Sequence, residues 1–165
     1  MMKQCAIWAG YVVALYVLQT SLLPLIGFHG ITVNLMLLLT VSFAFLRGVR
    51  QGVLMGFLTG LMEDLASGTF LGMNTLSQMV ISLACGRLSN GVFKEQFFLP
   101  VFSSLVAAVV NYFILATLML LLGYRFNLLA QMQSMLPTML IYQLAFAYPV
   151  HRLTYDLDRK LSAKQ

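Results

Sequence analysis

The chain has 165 residues, of which 60% are hydrophobic and 9% charged, and it carries a formal net charge of +5. That balance lies far outside the soluble range and excludes an ordinary cytosolic enzyme; it marks an integral membrane protein with almost no extramembrane domain. The ten Lys and Arg residues stand singly at segment ends instead of forming a patch, so they read as topology signals and not as a nucleic-acid surface.

Six apolar segments follow one another and predict an all-α, compact six-transmembrane-helix bundle, a single integral membrane domain over 1–165. The first, about 5–26, follows Lys3 as a signal peptide would, but it runs through Ile26 without a small-residue cleavage site and reads as a retained helix. Within it Ala6, Gly10 and Ala14 make a small-xxx-small face suited to helix docking. The second segment, 31–46, and the third, 48–66, are separated by little more than Arg47. The fourth, 72–87, covers roughly 24 Å at 1.5 Å per residue and spans only with local thinning. The fifth is 97–122 and the sixth 131–150; Pro137 predicts a kink in the sixth, and Pro149 lies near its end.

Beyond the last span, 150–165 forms an amphipathic cytoplasmic tail, with Val150, Leu153, Leu157 and Leu161 on one face and Arg152, Asp156, Asp158, Arg159 and Lys160 on the rest. It suits the headgroup boundary or a cytoplasmic partner. Alternating the connections between two sides puts Lys3, Arg47, Arg50, Arg87, Lys94, Arg152, Arg159, Lys160 and Lys164 on one side and Arg125 on the other. The positive-inside rule then places both termini in the cytoplasm, and the turns at 27–30, 67–71 and 123–127 outside.

The third segment carries the densest pattern. Gly48, Gly52, Gly56 and Gly60 recur every fourth residue, and the next step lands on Asp64. Glycines at this spacing let another helix approach the backbone, either within the bundle or from a partner protein. Steps of four drift about 40° around a helix of 3.6 residues per turn, so the small face winds as an oblique groove.

Glu63 and Asp64 fall in the last turn of an outward-running helix, where the carbonyl end of the dipole makes negative charge unfavourable. Three readings offset that cost. Gly68 suits a left-handed C-cap, so Asp64 can accept from free amides of the turn before Met73, or from the hydroxyls of Ser67 and Thr69. Arg125 can pair with Glu63 or Asp64, tying the fifth helix to the third. Alternatively Asp64 is a proton or ion site with Asn34, Asn74, Gln78, Asn111 and Gln143 as candidate companions, though these are expected at different depths.

No catalytic motif stands out, and five acids in all give an acid–base mechanism little to work with. His29 and His151 are expected on opposite sides. Cys5 and Cys85 lack a metal or redox spacing, and the eleven methionines are dispersed as filler, so neither a cofactor nor a metal is expected.

At GFLTGLMEDLASGTFLGMNTLSQMVISLACGRL, residues 56–88, the chain resembles the MreD family, the small membrane subunit of the bacterial rod-shape and cell-elongation machinery. There a glycine-bearing helix leads into an acid, then a Ser-Gly turn and a second glycine, matched here by Gly60, Asp64, Ser67-Gly68 and Gly72. The resemblance implies a non-enzymatic scaffold in the bacterial cytoplasmic (inner) membrane. Its partners would be an MreC-like bitopic membrane protein, an MreB-like actin filament and a RodA-like glycosyltransferase with its penicillin-binding transpeptidase. The family fold is also similar to the membrane substrate-binding subunits of energy-coupling-factor vitamin transporters, which supplies the alternative function.

Overall fold

The computed structural model describes residues 2–21, 33–68, 70–89, 98–123 and 128–162, and these form six helices and no strand. The helices are α1 (Met2–Ser21), α2 (Leu35–Arg47), α3 (Val49–Ser67), α4 (Met73–Leu88), α5 (Phe98–Leu121) and α6 (Leu128–Ser162). Among the described residues one apolar stretch, Val101–Leu121 in α5, is long enough by itself to cross a membrane; Ile7–Ser21 and Leu35–Arg47 are apolar but shorter.

α2 is the axis of the bundle. From Leu35 to Leu46 every side chain is buried, and α1, α3, α4, α5 and α6 all pack on it. Its start is fixed by Asn34, whose Oδ1 accepts from the Leu37 amide at 2.7 Å. Its end is fixed by Gly48, whose φ of 79° lets the chain turn a corner within one residue and begin α3 at Val49. Gly48 is therefore a corner and not the first rung of a helical groove, because the left-handed backbone it adopts cannot continue a helix.

The burial pattern is inverted relative to a soluble protein. On α3, Leu54, Phe57, Leu58 and Leu65 face outward while Gly52, Gly56, Thr59, Gly60, Glu63 and Asp64 face inward. α4 repeats it, with Leu76, Val80, Leu83 and Leu88 outside and Thr75, Ser77, Gln78 and Ser82 inside. Only a solvent as apolar as Leu itself makes that arrangement favourable, since hydrocarbon takes the leucines at no cost and the polar groups find each other within.

α6 differs from expectation. It runs unbroken from Leu128 to Ser162 through both Pro137 and Pro149, so the sixth segment and the tail are one helix. Its last turns dock on the N-terminal half of α1 and the C-terminal end of α2 by burying Val150, His151, Thr154 and Leu161, with Leu157 half-buried. Leu153 points away from the bundle, and Thr154 takes the inward place beside it. The clasp is closed by Arg47, whose Nε donates to Asp158 Oδ1 at 2.6 Å and whose guanidinium lies 5.7 Å from the ring centres of Trp8 and Phe43. Tyr11 and Thr154 hydroxyls meet at 3.3 Å.

Candidate functional site

The functional lead of the sequence, the run from Gly52 to Gly72, lies along the α3–α4 seam, the most extensive helix contact in the fold. The three helical glycines are all used inside the chain. A Cβ at Gly52 would stand 2.7 Å from the Ala44 Cβ of α2; at Gly56, 2.8 Å from the Gln78 carbonyl oxygen; at Gly60, 2.5 Å from the Thr75 Cα. The groove predicted from the spacing is real as close backbone approach, and at these positions α2 and α4 fill it. Of the two readings left open by the spacing, packing within the bundle and a seam with a partner, these contacts are of the first kind. A further rung was missed: Gly86 on α4 abuts Val49, where a Cβ would stand 2.7 Å from its Cα.

At the end of the seam where α3 turns into α4 the adjacent acids part ways. Asp64, 1% exposed, reaches across the turn to the N-terminus of α4. Its Oδ2 accepts from the Gly72 amide at 2.9 Å, the Thr75 amide at 3.0 Å and the Thr75 hydroxyl at 2.6 Å. Its Oδ1 accepts from the Asn74 amide at 2.9 Å and the Asn74 side chain at 3.1 Å. The Met73 amide donates to Phe70 O, and the Leu76 amide to Gly72 O. Every amide from Gly72 to Leu76 thus has a partner, and the carboxylate sits at the positive end of the α4 dipole. Gly68 and Gly72, with φ of 61° and 104°, shape the reversal that brings acid and amides together. The Ser67 hydroxyl donates to the Asp64 main-chain carbonyl at 3.4 Å.

Glu63 turns the other way, toward the N-terminus of α2. Gln19 Nε2 of α1 donates to Oε1 at 3.1 Å; Asn34 Nδ2 and Gln78 Nε2 donate to Oε2 at 3.3 and 2.6 Å. Gln19 uses its own oxygen to accept from the Leu35 and Met36 amides at 2.8 and 3.1 Å. Behind Gln78, its Oε1 accepts from the Thr40 hydroxyl at 3.0 Å and from the Thr59 hydroxyl. One carboxylate therefore gathers α1, α2, α3 and α4 through amide side chains, two of which also cap the first amides of α2.

The structure thus unites Glu63 and Asp64 with Asn34, Asn74 and Gln78, which the sequence reading had set at different depths. Asn111 lies one step away, accepting from the Ser77 hydroxyl. Gln143, fully buried on α6, joins neither cluster. Gln19, Thr40, Thr59 and Thr75 were missed. Gln19 had a signal, being an amide side chain that follows fourteen residues without a charge or an amide; the three threonines had none, since Thr is tolerated anywhere in such a helix. Arg125, His29 and Thr69 lie outside the described residues, as does the pairing proposed for Arg125. Among the described residues no three His, Cys, Asp or Glu side chains converge as metal ligands.

The arrangement is a polar core in which every carboxylate oxygen of Glu63 and Asp64 accepts at least one hydrogen bond from the chain itself. Compared with known protein families, the chain matches the model of the rod shape-determining protein MreD over residues 2–160. No curated protein and no solved structure matches. The match spans almost the entire chain, which therefore belongs to the MreD family of membrane proteins involved in rod-shape determination.

Proposed function

We propose, from membership of this family, that the chain is a non-enzymatic scaffold of the cell-elongation machinery, organising MreC-type and MreB-type shape proteins and the peptidoglycan synthases. It does so as a multi-pass bundle in the bacterial cytoplasmic membrane, with both termini cytoplasmic. The observation that carries this reading is the combination of two buried carboxylates, Glu63 and Asp64, bonded within the chain, with an exterior of apolar helix faces. A protein built to turn over or carry a substrate needs polar groups aimed at it; here Glu63 and Asp64 are spent on holding helices together.

With the α3 rungs occupied, the helix-docking role falls to the outward face of α1. Gly10 has nothing within 4 Å of where a Cβ would stand, and Ile7, Val13, Ala14 and Val17 around it are exposed. A single apolar helix of a bitopic partner can lie close to the α1 backbone there, by the same packing that joins α3 to α4. On the cytoplasmic side, Arg152, Asp156, Arg159 and Lys160 on the outer face of the clasped tail offer a charged surface. Affinity purification after mild detergent extraction is the test. An MreC-type bitopic protein should come through in stoichiometric amount; a chain recovered alone from elongating cells overturns the proposal.

A further inference from the structure

The α3–α4 turn has the chemistry of a segment in hydrocarbon. Phe70 and Leu71 crown it, 48% and 70% exposed, whereas a turn in water is built from polar residues. The α4 amides beneath them are all satisfied within the chain by Asp64, Phe70 and Gly72, as lipid demands and water does not.

Two rulers give its depth. The first is α5: Asn111 lies near the middle of Phe98–Leu121, and it bonds Ser77 of α4. Ser77 is therefore at mid-span, and Gly72, five residues nearer the turn, is about 7 Å further out at 1.5 Å per residue. The half-thickness of the hydrocarbon is about 15 Å. The second starts from the inner boundary, marked by the exposed Arg87 at the end of α4. From there to Gly72 the helix climbs roughly 22 Å of the ~30 Å core. Both rulers stop Gly72, the foot of the turn, some 8 Å short of the outer surface; α3 runs three residues past the Asp64 that bonds Gly72, about 4 Å more, so the crown of the turn lies a few Å short of that surface. α5 continues past it, with Leu120, Leu121 and Leu122 exposed.

We propose that the α3–α4 hairpin is re-entrant: it rises from the cytoplasmic side and reverses inside the outer leaflet, where lipid acyl chains cover Phe70 and Leu71. The outer leaflet above it is then a lipid-filled depression floored by the turn and walled by α5. The inference rests on the membrane placement given under the proposed function, and two readouts separate them.

In a full-length chain with Cys5→Ala and Cys85→Ala, single cysteines are introduced as Leu71→Cys, Phe70→Cys, Leu122→Cys and Arg159→Cys, all at exposed positions. In reconstituted phospholipid vesicles, nitroxides on Leu71→Cys and Phe70→Cys should collide preferentially with oxygen, and one on Leu122→Cys with a polar nickel chelate. This reading of depth is independent of which way the protein faces. Equal chelate access at Leu71→Cys and Leu122→Cys, as local bilayer thinning would give, overturns the re-entrant turn. In intact cells, a membrane-impermeant maleimide should label Leu122→Cys, with complete loss of labelling at Leu71→Cys and Arg159→Cys. Labelling of Arg159→Cys from outside refutes the orientation, and with it the cytoplasmic origin of the hairpin.

Discussion

α1 and α3 both carry small residues four apart, and the fold treats them in opposite ways. On α3 the spacing is consumed: Gly52, Gly56 and Gly60 meet α2 and α4 at backbone distance. On α1 it is left open, with free space around Gly10. The difference lies in what shares the face. The α3 glycines are interleaved with Thr59, Glu63 and Asp64, polar groups that must turn inward, so the glycines turn inward with them. On α1 the inward face is Trp8, Val12, Leu15 and Gln19, leaving Gly10 and Ala14 on the other side. Small-residue spacing marks a close approach; neighbouring polarity decides whether the partner is internal.

The strongest way to break the α3 side is to remove its cap. Asp64→Ala strips the Gly72, Asn74 and Thr75 amides of their acceptor, and with each buried orphan costing about 1–3 kcal/mol the loss should be on the order of 3 kcal/mol or more. Asp64→Asn, which keeps one oxygen, should lose less. Thermal unfolding in detergent followed by circular dichroism measures both, and equal stability of Asp64→Ala and the parent would show that the α4 amides find other partners.

Next in size is overpacking. Gly60→Ala forces a methyl to within 2.5 Å of the Thr75 Cα, a backbone atom that cannot step aside, so a loss of about 1–3 kcal/mol is expected despite the better helix propensity of Ala. Gly10→Ala, with the same change of chemistry in open space, should be neutral or slightly stabilising. Equal losses in the two variants would erase the distinction drawn between the helices.

The helices themselves were legible in the sequence, and the site only in part. Expected bounds of 48–66, 72–87 and 97–122 stand against Val49–Ser67, Met73–Leu88 and Phe98–Leu121, because in lipid an apolar run between charges has one reading. The acid, the ladder and the Ser-Gly turn were also visible, being residues out of place in their surroundings. Their partners were not. That Glu63 meets Gln19, 44 positions away, depends on how α1 crosses α2, and no periodicity along one helix contains a crossing angle. The tail misled for a related reason. A search for a hydrophobic face picks Leu153, but the face buried against Tyr11 is set by Thr154 and His151, whose polarity hides them.

The clasp at the end of α6 is a weaker lock than the Asp64 cap, and pH should separate its two parts. Burial holds the His151 imidazole well below its ordinary value, at about 4 against 6.5. The folded state therefore keeps it neutral; the stability this contributes is complete above pH 6.5 and is lost as pH falls from there toward 4. The thermal midpoint should drop over that window, and the drop should be smaller in His151→Leu. Asp158→Asn removes the ion pair to Arg47, whose two side chains are 23% and 19% exposed, so a loss of about 1 kcal/mol or less is expected. Faster amide exchange confined to the end of α6 would locate it.

The smallest effect on stability should come with the largest effect on assembly. Gly10→Leu places a large side chain where nothing lies within 4 Å, so the isolated bundle should unfold at the parent temperature. A partner helix lying against that face would be pushed away by the added bulk, since without a hydrophobic drive in lipid close contact is what holds two helices together. Copurification of the bitopic partner should therefore fall in Gly10→Leu while the fold is untouched. Gly56→Leu should lose fold and partner together, because its Cβ site is 2.8 Å from the Gln78 carbonyl oxygen. If Gly10→Leu copurifies its partner like the parent, α1 is lipid-facing and the docking surface must be sought on the apolar outer faces of α5 and α6, where Leu105, Val106, Val109, Leu140, Ile141 and Leu144 line a cleft of about 320 Å³.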